Sequence, residues 1–225
     1  MSYNNTNTYE RRDNIPLTDE ANVQKINVNK FMNNLLKNFL KTKPKLSICF
    51  IDSPKKQTET IALKDIKKDV QFISISRDFI KSDGNHYKGY FNNFIDSVKD
   101  QNKYFDLLFL DVNEGLTKVS NTIQKMFDSQ MLKTDSIVII TIVARGIRRN
   151  KNEKHISCPE YANNKLIDLF NENGFIGQEI EVPDCLVVES TKTKKNDLPI
   201  NCSFNGGLRG GKGAGPTYSF FYKLE

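Results

Sequence analysis

The chain has 225 residues, 38% of them hydrophobic, which is enough to bury one substantial core but would crowd two full domains. It contains no run of about 18 apolar residues and its first residues are polar, which excludes a membrane-spanning helix and a secretory signal and predicts an intracellular protein, cytoplasmic or nuclear. The formal net charge of +6 favours a polyanionic partner such as RNA or DNA.

Residues 1–27 form a polar leader without sustained apolar periodicity, which we interpret as a flexible N-terminal arm. The remaining residues, 28–225, are predicted to form one domain. Its first helix is indicated by apolar side chains at helical spacing from Phe31 to Leu40, and Pro44 ends that helix.

Short apolar runs then alternate with amphipathic patterns. The runs typical of buried strands are 46–51, 70–75, 105–110, 137–143, 175–182 and 218–224. The helical patterns are 58–66, 120–132 and 160–172. A further run, 186–188, either extends the strand before it or forms another. Because parallel strands need crossover helices, this alternation predicts an α/β fold with a doubly wound, mostly parallel sheet. The last strand follows no helix and is therefore predicted to be antiparallel.

Three segments resemble motifs of the class I S-adenosylmethionine-dependent methyltransferases. "KYFDLLFLDVNEG" is similar to the fourth motif, in which a strand delivers an acidic residue, here Asp111, to the catalytic edge. "QMLKTDSIVIITIV" is similar to the fifth strand and its preceding turn, and "LIDLFNENGF" to the helix that leads into the sixth strand. The resemblance covers roughly residues 46–225. It implies a seven-stranded sheet of the Rossmann-like methyltransferase type with an antiparallel C-terminal strand, and S-adenosylmethionine as the cofactor.

The first motif departs from the family pattern. The family places a glycine-rich loop after the first strand, because only glycine lets the backbone approach the cofactor closely. Here the loop reads "FIDSPKKQTET", with Asp52 at the acidic position and no glycine. One explanation is that Ser53, Pro54 and Thr58 make a different turn that still presents backbone N–H groups to the cofactor. The other is that the cofactor site has decayed and the domain is a scaffold or binding subunit.

Acidic residues follow three of the predicted strands. Ligands of open α/β sheets bind outside the carboxyl ends of the strands, so Asp52, Asp78 and Asp111 are expected in one crevice. The resemblance implies that Asp78 binds the ribose hydroxyls, with an ion pair to Arg77 as the structural alternative. It implies that Asp111 orients or deprotonates an amine or hydroxyl of the substrate, with capping of the next helix as the alternative.

An aromatic residue and an amide precede the fourth motif. Phe91 and Asn92 are candidates for stacking on the adenine and for hydrogen bonding to it, and a place in the core is the alternative for Phe91. His155 and Cys158 form only half of a metal site, so no metal is predicted.

Basic residues crowd two loops that leave the same edge of the predicted sheet. They are Arg145, Arg148, Arg149, Lys151 and Lys154 after the fifth strand, and Lys192, Lys194, Lys195, Arg209 and Lys212 before the last. Together they predict a positive rim, with the five arginine and lysine residues Arg145, Arg148, Arg149, Arg209 and Lys212 as substrate contacts. Tyr161, Phe204 and Tyr218 are candidates for stacking bases.

The glycine-rich segment 205–215 is interpreted either as a mobile flap that contacts phosphate or as a flexible hairpin. The sequence thus predicts a methyltransferase acting on a nucleic acid or another phosphate-bearing substrate. A catalytically inactive domain that binds nucleic acid or a partner is the alternative. The reaction subtype stays open: the ribose 2′-O enzymes resemble the chain best, but Arg145 stands where they use a lysine, and arginine does not give up its proton.

Overall fold

A computed structural model of the chain describes residues 19–52, 56–79, 81–82, 84–111, 114–187, 195–205 and 216–225. Within these residues the chain forms five α-helices and eight strands. The helices are α1 Asp19–Leu40, α2 Gln57–Ala62, α3 Phe91–Val98, α4 Leu116–Asp128 and α5 Cys158–Glu172. The strands are β1 Leu46–Ile51, β2 Val70–Ser76, β3 His86–Lys88, β4 Leu107–Asp111, β5 Ile137–Val143, β6 Gly177–Glu179, β7 Cys202–Asn205 and β8 Thr217–Leu224. No helix among them is both long and apolar enough to cross a bilayer.

All strands join one sheet in the order β3-β2-β1-β4-β5-β8-β6, with β7 also paired to β8. The first five positions are parallel, and β8 is antiparallel to β5 along its whole length. The predicted mostly parallel α/β sheet with an antiparallel C-terminal strand is therefore confirmed. This is the sheet that the resemblance noted in the sequence implies.

The outer position beside β8 is occupied by two short strands instead of one. β6 pairs with the last residues of β8, and β7 pairs with its first residues. The chain leaves the sheet between them, and the Val182 N–H donates to the Ile200 carbonyl where it returns (3.1 Å). Within the core, the Asn163 carboxamide accepts from Asn201 and from the Tyr222 hydroxyl (3.1 and 2.6 Å), which anchors the excursion to α5.

Helices cover both faces of the sheet. Met32 and Leu36 of α1 pack with α2 on one face, against alternate residues of β1, β4 and β5. The helices α3, α4 and α5 cover the other face, where Ile123 and Phe170 are fully buried. Each such side chain contributes about 1.5–3 kcal/mol by leaving water, so the β-branched and aromatic runs of the sequence provide most of the stability.

The first helix begins at Asp19, well before the position that the apolar pattern indicates. Residues 19–27, which the sequence assigned to the arm, are helical. This stretch contains no proline or glycine that would break a helix. Lys25, within this stretch, pairs with the Asp111 carboxylate at the carboxyl edge of the sheet.

A buried carboxylate ties three strand beginnings together at the amino-terminal edge of the sheet. Asp106, which is 3% exposed, accepts from the Ser47 N–H (2.8 Å) and from the Lys43 ammonium (2.5 Å), and Lys133 lies 3.2 Å away. Burial raises the pKa of the Asp106 carboxyl, but the hydrogen bonds from Lys43, Ser47 and Lys133 outweigh burial and hold that pKa below its ordinary value.

We expect Asp106→Asn to lower the free energy of unfolding at pH 7 by about 2 kcal/mol, because it leaves two ammonium groups without their carboxylate. The folded-state pKa is depressed, so this contribution is present above the unfolded pKa of about 3.9 and is lost as the pH falls through the folded value. Urea denaturation at pH 7 and pH 3 measures both effects. Asp100→Asn, at an exposed carboxylate, is the control. An equal loss at both pH values would show that the carboxylate charge does not stabilise the fold.

Candidate functional site

Three carboxylates meet at the carboxyl edge of the sheet. Asp52, Asp78 and Asp111 follow or end β1, β2 and β4, which are neighbouring parallel strands. Adjacent strands are about 4.8 Å apart, so the three residues lie along the same edge of the sheet.

The Asp52 carboxylate holds the glycine-free loop. It is 7% exposed and accepts from the N–H groups of Thr58 and Glu59 in the first turn of α2 (3.2 and 2.9 Å). The residue that precedes α2, Lys56, has a left-handed backbone (φ 50°, ψ 39°) and provides no side-chain cap. Lys56 thus makes the kind of turn for which glycine is usual, and Asp52 caps the helix from upstream. Ser53 and Pro54 lie outside the described residues.

Polar groups in the seam between α1 and α2 lack partners. Both helices run from the carboxyl edge to the amino edge, and the Asn33 amide donates to the carbonyls of Ala62 and Lys64 (2.8 and 2.9 Å). One turn earlier on each helix lie Asn29 and Thr58, both 0% exposed. Neither the Asn29 carboxamide nor the Thr58 hydroxyl finds a hydrogen-bond partner among the described residues. Each buried polar group without a hydrogen bond lowers the stability of the fold by about 1–3 kcal/mol. The polar groups of this seam are therefore only partly hydrogen-bonded.

The Asp111 carboxylate pairs with a lysine from the first helix. Lys25 Nζ lies 2.8 Å from Asp111 Oδ2, and the two side chains are 30% and 25% exposed. Asp111 continues the row of β4 side chains that faces α1, which explains the contact. Helix α4 begins after Gly115 without a cap from the Gly115 position, and the contact described for Asp111 is the one to Lys25.

Lys25 was not among the predicted site residues because the predicted first helix began several residues after Lys25. The signal is the spacing of Lys25, Asn29 and Asn33, which repeats every four residues and so marks one polar stripe of a helix. Together with the apolar stripe beside it, this spacing extends the helix toward its observed start.

A second cluster of charged side chains joins the start of α2 to β3. The Glu59 carboxylate, which is 8% exposed, is 2.9 Å from His86 of β3 and 2.7 Å from Lys67. Burial raises the pKa of Glu59, but hydrogen bonds from Lys67 and His86 outweigh it and keep the pKa below its ordinary value. The neighbouring carboxylate of Asp78 lies 3.6 Å from Arg77, the structural alternative that the sequence raised.

The candidate adenine contacts lie at the start of α3 and make contacts on the side of the sheet that α3 and α4 cover. Phe91 is 8% exposed and packs against Phe94 in the core, with 6.1 Å between the ring centroids. Asn92 accepts from the Thr122 hydroxyl of α4 (3.2 Å). The structure therefore places Phe91 in its alternative role, because its ring fills the space between α3 and the sheet.

The predicted basic rim is described only in part. Arg145 and Arg148 are exposed, whereas Arg149 is half-buried and donates to the carbonyls of Ile156 and Lys154 in its own loop. Arg209, Lys212 and the other residues from 206 to 215 lie outside the described residues, whereas Asn205 ends β7. The expectation that three aromatic residues stack bases is corrected, because their rings belong to the core. Tyr161, Phe204 and Tyr218 are 8%, 1% and 4% exposed. In the described part of the chain no group of three or more side chains is arranged to hold a metal ion.

The loops after β4 and β5 touch through two glycines. The Val143 N–H donates to the Glu114 carbonyl (3.2 Å), and the backbones of Gly115 and Gly146 are in contact. A Cβ on Gly146 would lie 2.4 Å from Gly115 Cα, and one on Gly115 would lie 2.7 Å from the Gly146 carbonyl oxygen. Both positions thus require glycine to join the Asp111 loop to the Arg145 loop.

No family model matches the chain, and no curated protein matches it. Among solved structures it is similar to the plantazolicin methyltransferase BpumL in complex with a monoazolic desmethylPZN analog and SAH (13% identity, 89% of this chain and 83% of that one, TM-score 0.48). It is also similar to the SAH-bound methyltransferase PaMTH1 of Podospora anserina (12% identity, 70% and 74%, TM-score 0.45). A third is a SAM dependent methyltransferase of Archaeoglobus fulgidus (12% identity, 85% and 94%, TM-score 0.40).

We expect Gly146→Ala to lower the free energy of unfolding by about 1–3 kcal/mol, because the methyl group forces the two loops apart. Thermal unfolding followed by circular dichroism measures the loss. Gly84→Ala is the matched control, since a Cβ at Gly84 meets nothing within 4 Å. Equal melting temperatures of the two variants would show that the loops separate at no cost.

Proposed function

We propose that the chain is an S-adenosylmethionine-dependent methyltransferase that acts on a nucleic acid or another phosphate-bearing substrate. The observation that carries the proposal is the Lys25–Asp111 pair (2.8 Å) at the end of β4. The pair lies at the edge where open α/β sheets bind ligands. It joins the Asp111 carboxylate, which accepts protons, to the Lys25 ammonium, which is able to release a proton.

Polar groups near the carboxyl edge of the sheet support S-adenosylmethionine as the cofactor. Asp78 offers a partly exposed carboxylate at the end of β2 for two hydroxyl groups. Asn29 and Thr58 offer buried donors and acceptors that lack partners within the described chain. Because those atoms are fully buried, a ligand reaches them only when the first turns of α1 lift from the seam, and the Lys25–Asp111 contact then closes α1 over the site. When bound, S-adenosylmethionine supplies the methyl group from its sulfonium centre.

The chain's own residues then position the substrate nucleophile. Asp111 accepts a hydrogen bond from the substrate hydroxyl or amine, and Lys25 holds the carboxylate in place. Lys25 also provides the deprotonable cation that is missing after β5, where Arg145 stands. The exposed guanidinium groups of Arg145 and Arg148 flank the same edge and favour a phosphate-bearing substrate.

The second candidate is a domain that has lost its chemistry and only binds nucleic acid or a partner. The observation that favours it is the use of the Asp52 carboxylate, whose two oxygens both accept from backbone N–H groups of α2. The glycine-free loop is thus held by a contact within the protein.

We expect the protein to bind S-adenosylhomocysteine and to transfer methyl groups to total RNA or DNA. Lys25→Gln and Asp111→Asn should each reduce transfer by about 100-fold or more, because both residues act on the nucleophile. Radiolabel transfer and calorimetry measure the two quantities. Lys30→Gln, an exposed lysine of the same helix, is the control. The absence of any heat or thermal shift with millimolar product would leave the binding-domain candidate, since a ligand at 100 times its dissociation constant stabilises by about 2.7 kcal/mol.

We expect Asn29→Leu to stabilise the free protein by about 1 kcal/mol, because it removes a buried amide without partners. The same change should weaken binding of S-adenosylhomocysteine, so the thermal shift that the ligand produces should shrink. The matched control is Asn33→Leu one turn later, whose amide makes two hydrogen bonds and whose loss should destabilise. If Asn29→Leu destabilises as much as the control does, the amide is already satisfied and has no role in binding a ligand.

A further inference from the structure

Lysines precede four neighbouring strands at the amino edge of the sheet, opposite the candidate site. The strands β2, β1, β4 and β5 lie side by side, and the lysine row before them consists of Lys68, Lys45, Lys103 and Lys133. At about 4.8 Å between strands, the row extends roughly 15 Å in one line. The four lysines stand one to four residues before their strands, so parallel pairing brings them to the same edge.

The row borders two adjoining surface grooves that share Val70 and Gln71. Lys45 and Lys68 line one groove, together with Asp69, and Lys103 lines the other. Lys133 is held by Asp106, but the other three lysines make no ion pair with any residue that the structure describes. Lys67, which also lines the second groove, is paired with Glu59, so Lys45, Lys68 and Lys103 are the lysines open to an anion.

An exposed aromatic side chain lies in the same row. Tyr104 follows Lys103 directly and is 51% exposed, which sets it apart from the buried aromatics of the core. The centre of its ring lies 4.7 Å from Lys133 Nζ, so a cation already holds one side of the ring. An aromatic face beside a line of cations is the arrangement on which proteins stack the bases of single-stranded nucleic acids.

A structural explanation competes with this one. The helices that precede these strands end at the same edge, and lysine near a helix C-terminus is favoured by the helix dipole. That effect explains any single lysine. It explains neither the exposed ring of Tyr104 nor the grooves between Lys45, Lys68 and Lys103.

We infer that the lysine row and Tyr104 form a second binding surface, for single-stranded nucleic acid, at the sheet edge opposite the candidate methyl-transfer site. The phosphates lie along Lys68, Lys45 and Lys103, and one unstacked base lies on Tyr104. This surface does not depend on the cofactor or on Asp111.

Fluorescence anisotropy with the full chain and a labelled 20-nucleotide oligouridylate tests the surface. The double variant Lys68→Glu/Lys103→Glu should weaken binding by about tenfold or more and reduce the slope of log K against log salt by about 1.4, which is about 0.7 for each phosphate that no longer meets a lysine. Lys30→Glu/Lys81→Glu makes the same charge change at exposed lysines elsewhere and should have little effect. Tyr104→Leu should weaken binding by roughly fivefold or more and leave the salt slope unchanged.

Three results would overturn the inference. They are equal affinities of the two double variants, loss of binding on Arg148→Glu alone, and competition by polyglutamate as strong as by unlabelled oligonucleotide, which would indicate an acidic protein partner. Failure of the wild-type chain to bind at low salt would overturn it as well. Where circular dichroism shows that the glutamate variant is unfolded, Lys68→Gln/Lys103→Gln carries the same test. Because no cofactor is present in these assays, their outcome is separate from that of the proposed methyl transfer.

Discussion

Parallel pairing of β2, β1 and β4 is the constraint on which the other features depend. In a parallel sheet every strand brings its carboxyl end to one edge and its amino end to the other. The three acidic residues meet at one edge for this reason, and the lysines and the Asp106 cluster meet at the opposite edge. Helices connect the parallel strands and cover both faces of the sheet, where they bury the β-branched side chains. The polar and charged groups are therefore found at the two edges of the sheet.

The parts of the fold that were predictable are those with long apolar runs. β5 lies where the run of isoleucine and valine indicates, and helix α5 ends at Glu172, where the predicted helical pattern ends. β3 and β7 were missed because strands of three or four residues leave no period to detect. Lys25 was missed because polar residues that cover an edge of a sheet show no apolar stripe. Phe91 is distinguished from an aromatic residue that stacks on a ligand only by its burial, and the sequence alone does not show which aromatic residues are buried.

The glycine-free loop shows how one local geometry is reached with different residues. The family pattern relies on glycine for a close turn after the first strand. Here Lys56 adopts the left-handed conformation, and the Asp52 carboxylate compensates by binding two N–H groups of α2. Left-handed backbone costs a non-glycine residue about 1–2 kcal/mol, and two charge-assisted hydrogen bonds offset that cost. The acidic position of the motif therefore has a structural duty whether or not a cofactor binds.

The broken outer strand has a consequence for the behaviour of the protein at high concentration. An uninterrupted edge strand presents a row of unpaired N–H and C=O groups that another chain can extend. The outer position beside β8 is split between β6 and β7, and the chain leaves the sheet between them. A neighbouring copy thus meets two short ladders, one of which is already bridged at Phe204 by Val187. The excursion guards this side of the sheet against edge-to-edge aggregation.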